Sequence, residues 1–182
     1  MQDSSSESMA RVAIVRALQR LVLERPFEQI SVGTIVAAAD VGRSTFYEHF
    51  GCKEDVLRIS LSPVTTVLAE TVTTDRVTQH LLDILDHLLE QASLVQAYLR
   101  GSLSPIVVDC LAVEIDRLLQ ERSTATCDGI PRQMLAAQTA ETIFGLIRSW
   151  VSHHPNVSTV ALADHLLRTV QSVSTGQREN PA

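Results

Sequence analysis

Five side chains able to hydrogen-bond to phosphates or to base edges fall within one short run, RSTFYEHF: Arg43, Ser44, Thr45, Tyr47 and His49. Lys53, the only lysine of the chain, follows three residues after that run. Phe46 and Phe50 are four apart, so on a helix they share one face and can anchor it, leaving the polar groups for the other. A cationic, hydroxyl-rich helix face of this kind suits a polyanion with a groove. Phosphate contacts fix the position of such a helix and base-edge contacts supply sequence information. The same run holds Glu48, whose carboxylate repels phosphate and which is read as a solvated position, and Cys52 just beyond it, which has no neighbour that points to thiol chemistry.

A helix presented this way needs a support. Residues 9–24 carry Ile14, Ala17, Leu18, Leu21 and Val22 at i, i+3, i+4, i+7 and i+8, one apolar stripe that Pro26 terminates. Ser31 can cap a short helix over 32–38 with Ile35 and Ala38 inward. Asp40-Val41-Gly42 breaks it, and a third helix runs over 43–50. Two short helices separated by about three residues, the first ending in alanines that permit a close crossing, form a helix-turn-helix pattern. From Lys53 on, the periodicity predicts longer helices over 53–61, with continuation past Pro63 to 73, and over 76–91, 94–99, 104–122, 131–153 and 158–173. The fold class is all-α: an N-terminal three-helix helix-turn-helix domain over 9–55, a helical regulatory and dimerisation domain over 56–174, a loose arm over 1–8 and a tail over 175–182.

The run ISVGTIVAAADVGRSTFYEHFGCKEDVL, together with RVAIVRALQRLVLERPFEQ before it, resembles the DNA-binding region of the TetR family of transcriptional regulators. The resemblance is carried by Ile14, Ala17, Phe27, Ser31, Ile35, Ala38-Ala39, Val41, Thr45, Tyr47, Phe50 and Lys53-Glu54, about a quarter of the chain. It implies that Arg43 and Ser44 read bases and that Thr45, Tyr47 and His49 hold phosphates. It also implies that Lys53 adds a phosphate contact, helped by the positive end of its helix, and that Ser31 and Thr34 touch the backbone from the second helix. The chain departs from the family pattern at Asp40, where Gly is usual and where Asp tolerates the left-handed conformation. It departs also at Gly42, which cannot cap, at Gly33, which lacks a side chain for phosphate, and at Cys52, in place of a small polar cap.

The resemblance thins in the back half, where the family implies a small-molecule site and a pairing of two subunits. Phe144, Ile147 and Val151, with Trp150, make one apolar stripe. Leu162, Leu166 and Val170 make another. Two such helices suit a four-helix dimer interface, and packing within one subunit is the alternative. Tyr98, Arg100, Cys110, Glu114 and Phe144 are the candidates for lining a cavity between helices. His80, Asp83, His87 and Glu90 recur at helical spacing and could form a metal stripe, but they read better as the wet face opposite Leu81, Ile84 and Leu88.

Composition bounds the rest. With 45% apolar residues among 182, the chain can build a core, and its net charge of −6 is unevenly spread. Residues 1–60 hold seven cations against eight carboxylates, while 61–182 hold eight against thirteen, so only the front half is electrostatically suited to meet DNA. Three scattered cysteines give no disulfide framework or metal pair, and neither a signal peptide nor a ~20-residue apolar span is present. A cytoplasmic location follows as the expectation. GxSxG, HExxH, Walker and dinucleotide fingerprints are absent, so no enzymatic activity, cofactor or metal is expected. The expected function is sequence-specific transcriptional regulation by a homodimer on a palindromic operator: repression relieved by a small-molecule effector or, alternatively, regulation without a ligand through a protein partner or abundance.

Overall fold

A computed structural model describes residues 3–122, 126–127 and 129–175. The described residues are almost wholly helical. In order they form α1 (Asp3–Glu24), a 3-10 turn (Phe27–Gln29), α2 (Val32–Ala39), α3 (Arg43–His49), α4 (Lys53–Glu70), α5 (Gln79–Glu90), α6 (Ala92–Tyr98), α7 (Leu103–Glu121), α8 (Arg132–His153) and α9 (Thr159–Thr175). Thr126–Cys127 and Ile130–Pro131 pair as a two-residue antiparallel ribbon between α7 and α8.

Helix α1 starts at Asp3, not near Met9, so the arm expected over 1–8 is helical from its third residue, while residues 1 and 2 lie outside the described residues. Once a helix is nucleated each further residue adds a hydrogen bond without a new nucleus, and a polar sequence does not prevent extension. The expected tail likewise begins inside α9, and residues 176–182 lie outside the described residues. Helix α4 runs unbroken through Pro63. A proline there removes one ladder bond, but Val56, Leu57 and Leu61 before it and Leu68 and Ala69 after it are buried, and that burial holds the two halves on one axis. Helix α5 starts at Gln79, not Arg76, and Thr78 caps it, its hydroxyl accepting from Leu81 N at 3.2 Å. Helix α7 begins at Leu103, before the Ser104-Pro105 pair expected to open it.

Two apolar clusters organise the molecule. The first joins Ile14, Leu18, Phe27, Ile30, Ile35, Phe46, Phe50, Val56 and Leu57, and it takes in Tyr98 and Leu103 from the back half. The second is built from α4 beyond Pro63 and α5–α9, with Leu81, Leu85, Ile115, Ile143 and Leu166 at its centre. Helix α4 spans both and packs on α1 and on α7. Arg132 donates to both carboxylate oxygens of Asp116, at 2.7 and 3.3 Å, and so pins the start of α8 to α7, a bidentate pairing that spacing alone does not reveal.

The seven residues expected along a dimer seam are buried within the single chain. Phe144, Ile147, Trp150, Val151, Leu162, Leu166 and Val170 are each 6% exposed or less, and Trp150 Nε1 donates to Val157 O at 2.8 Å. Helix α8 packs on α7, α9 and α6, and α9 packs on α8 and α5, because a short bundle must first fill its own centre. An apolar stripe by itself does not reveal which surface covers it.

Candidate nucleic-acid interface and internal cavity

The turn between α2 and α3 is built by Asp40. Its φ of 55° and ψ of 46° are left-handed, and Val41 N donates to Val36 O at 3.1 Å. This closes a Schellman turn in which Val36 and Val41 meet over the core. Asp therefore performs the task that Gly performs more cheaply. Ser31 caps α2, its Oγ accepting from Thr34 N at 3.1 Å and lying 2.9 Å from Thr34 Oγ1. Arg20 reaches across from α1 to donate to Ala38 O at 2.8 Å, satisfying a carbonyl at the far end of α2. Gly42 stands before α3 without a side-chain cap, as its sequence dictates.

Phe46 is fully buried and Phe50 nearly so, while Tyr47 is 59% exposed, its ring edge-on to Phe46 at 5.4 Å between centroids. Arg43 and Ser44 are exposed and Thr45 is half-buried. The structure therefore brings Arg43, Ser44, Thr45 and Tyr47 onto the outer face of α3, with Ser31 and Thr34 beside them at the start of α2. A Cβ added to Gly33 would stand 3.2 Å from Arg43 Nη2, so a side chain there would press on the end of the arginine and shift it slightly.

Two expected members sit differently. Lys53 Nζ turns inward: it donates to Phe27 O at 2.7 Å and Ile30 O at 2.9 Å, and lies 4.3 Å from the centre of the Phe27 ring. Its charge ties the 3-10 turn to the base of α4, and two of its three donors are spent. The positive end of α4, expected to help bind phosphate, is already occupied by Asp55, which accepts from Gly51 N and Cys52 N, both at 3.1 Å, in a capping box with Cys52. His49 has its Nε2 buried without a hydrogen-bond partner, which leaves only the other edge of its ring for a phosphate. Asp55 was missed in the sequence, although its place three residues after a cap position is the signal that could have found it.

The Cys52 thiol, then the Cys52 and Gly51 amides and the Arg58 guanidinium, hold the Asp55 carboxyl below its ordinary pKa of 3.8 against an opposing effect of burial. A carboxylate whose pKa is lowered on folding contributes stability above its unfolded pKa and loses that contribution as pH falls through the folded value. Stability should therefore drop on the acid side of 3.8, and Asp55→Asn should flatten that part of the pH profile. Superimposable acid limbs for the two proteins in denaturant titrations would show that the box contributes nothing.

Between α1, α4, α5, α6, α7 and α8 lies a cavity of about 100 Å³, walled by residues including Leu61, Leu68, Leu111, Ile143 and Phe144. Tyr98 lines it, 8% exposed, and its hydroxyl has no hydrogen-bond partner. Burial pushes the phenol up from its ordinary pKa, opposed by the neighbouring Ser60 hydroxyl, which stands close to the phenol oxygen without meeting it in hydrogen-bond geometry. The Ser60 hydroxyl donates to Leu57 O at 2.7 Å, so it has no proton to give to the Tyr98 oxygen, and the Tyr98 O–H itself remains available as a donor. Of the five residues expected around a cavity, Tyr98 and Phe144 are there. Arg100 is exposed and donates to Gln96 at 3.2 Å. Cys110 and Glu114 face an outer groove beside Arg58 and Asp109. They sit on the far side of α7 because Leu111 and Ile115 take its inner stripe. His80, Asp83, His87 and Glu90 are exposed along α5. Among the described residues no three His, Cys, Asp or Glu are grouped to hold a metal, and no helix is long and apolar enough to cross a membrane.

The family model for bacterial regulatory proteins of the tetR family matches residues 14–58, the segment from α1 to the start of α4. A TetR transcriptional regulator from Streptococcus agalactiae 2603V superimposes with a TM-score of 0.61 at 25% identity, over 93% of this chain and 98% of that one. This chain belongs to the TetR family. The TetR fold is shared with a putative regulator from Syntrophomonas wolfei (TM-score 0.57, 18% identity, 94% and 98% covered). It is shared also with FadR of Thermus thermophilus, a transcriptional repressor solved with lauroyl-CoA (0.53, 20%, 94% and 98%). No curated protein matches the chain. TetR-family proteins bind DNA and act as dimers, and some respond to small molecules.

Proposed function

We propose that this TetR-family protein is a sequence-specific repressor that binds a palindromic operator as a homodimer and is released by a small molecule held in the cavity. The observation that carries the reading is the exposed face of α3, where Arg43, Ser44 and Tyr47 stand clear of a helix anchored by buried Phe46. Arg43 and Ser44 read base edges, while Thr45, Tyr47, Ser31, Thr34 and the free edge of His49 position the helix on phosphates. Two such helices must enter successive major grooves, ~34–36 Å apart. An effector that prefers another separation then shifts the population away from the bound state.

Because the apolar stripes of α8 and α9 are consumed inside the protomer, pairing falls to their outward faces. Glu141 and Arg148 on α8, and Asp164 and Arg168 on α9, are exposed there. These opposite charges can pair across a two-fold axis. The cavity and the unpartnered Tyr98 hydroxyl that lines it favour regulation by a ligand over control by abundance.

Arg43→Ala should cost ~1–3 kcal/mol at the base it contacts and relax preference at that position. Selection from random DNA by both proteins checks this, and an unchanged consensus removes Arg43 from the readers. The reading as a whole is tested by gel shift on DNA upstream of the protein's own gene, with selection from random DNA as the second arm. A saturable, sequence-specific complex supports it, and absence of any specific complex in both arms refutes it.

A further inference from the structure

The cavity differs in one respect from an ordinary packing defect. Its wall is aliphatic and aromatic nearly throughout, yet a nine-tenths-buried phenol hydroxyl lines it without a partner. An unsatisfied buried hydroxyl is costly; the other two hydroxyls of the wall, Ser60 and Thr65, already donate to backbone carbonyls of α4, which leaves Tyr98 as the hydroxyl with an uncommitted proton. No Asp, Glu, Lys or Arg lines the cavity, and Gln19, His87 and Gln91 supply the polarity at its rim. Gln19, Gln91 and Leu94 also line an outer groove between α1 and the start of α6, which gives a route from solvent.

Two physical constraints then select a ligand. A charged group brought inside would find no counter-ion, and an unpaired buried charge costs far more than a neutral polar group. Size is the second. An engineered apolar cavity of about 150 Å³ accommodates benzene, and this one is about 100 Å³, so the occupant is no larger than a small ring or short chain unless helices move. A lauroyl chain of the kind bound by the Thermus thermophilus protein exceeds that volume.

We infer that the effector is a small, uncharged, mainly apolar molecule with one hydrogen-bond acceptor, such as a ketone, and that Tyr98 is its specificity-determining residue, donating its hydroxyl to that acceptor. The inference rests on reading the cavity as the effector site. Tyr98 is placed to transmit occupancy, because it belongs to the same apolar cluster as Phe46 and Ile35, beneath the two helix-turn-helix helices. A ligand that holds the phenol therefore acts on a residue packed into the support of α3.

The test uses the full chain and three probes of similar size: cyclopentanone, cyclopentane and butanoate. Binding to the free protein is measured by ligand-observed NMR titration, and operator binding is measured separately on the same sample. Cyclopentanone should bind roughly tenfold more tightly than cyclopentane, the gain of one buried hydrogen bond, and butanoate should not bind. Tyr98→Phe removes only the unpartnered hydroxyl and leaves the ring that packs. In it cyclopentanone should fall to the cyclopentane level. Butanoate binding as tightly as the ketone, ketone affinity unchanged by Tyr98→Phe, or no binding by any probe each overturns the inference. A specific operator complex accompanied by any of those outcomes leaves the DNA-binding reading intact and removes only the ligand class.

Discussion

Lys53→Met lowers the stability of the helix-turn-helix region by about 2–4 kcal/mol, the range for losing two charge-assisted hydrogen bonds at a partly exposed site. The ammonium holds Phe27 O and Ile30 O together at 2.7 and 2.9 Å, and Met keeps the aliphatic stem while removing every donor. The 3-10 turn then loses its tie to α4, and α2, which follows it directly, loses a fixed starting point. Operator affinity falls as a consequence, but its dependence on salt does not change. A phosphate contact behaves differently: each one lost reduces the slope of log K against log salt by ~0.9. Denaturant titrations together with DNA binding at several salt concentrations separate the two roles. A slope reduced by about one unit, with stability unchanged, would return Lys53 to the DNA surface.

Trp150→Ala costs about 3–5 kcal/mol of protomer stability, the range for removing a large aromatic from a packed interior. The indole is 2% exposed and its Nε1 bonds to Val157 O, which fixes the loop joining α8 to α9. Were Trp150 on a dimer seam, the same change would weaken association and leave the folded protomer intact. Sedimentation at a concentration where wild type is dimeric, with unfolding followed in parallel, distinguishes these outcomes. Folded monomers of the variant at wild-type stability would place Trp150 at the interface. Charge reversal at Arg168 should give the opposite pattern, with association impaired and the protomer stable.

The helix-turn-helix was legible because the devices that set its helices and its turn are local. The stripe from Ile14 to Val22, the Ser31 cap, the Asp40 turn and the Phe46–Phe50 anchor each act within a few residues. Their geometry follows from backbone sterics and helical periodicity. For the same reason Arg43, Ser44 and Tyr47 could be assigned to the outer face once the two phenylalanines were assigned to the inner one.

Contacts between elements distant in the chain were not legible. Lys53 reads as a cation available to phosphate until the carbonyls of Phe27 and Ile30, over twenty residues earlier, are seen to capture it. The stripes of α8 and α9 read alike whether their partners are α7 and α5 or a second subunit, since periodicity records that a face is covered and not what covers it. Tyr98 and Phe144 line one cavity while Cys110 and Glu114, equally plausible by type, look out from the other side of α7. The sequence alone therefore determined the helices, their order and the exposed face of α3. Only the tertiary structure decided which cation became a clamp, which apolar faces were spent inside the protomer and where a buried hydroxyl was left without a partner, because packing joins residues that no short-range pattern connects.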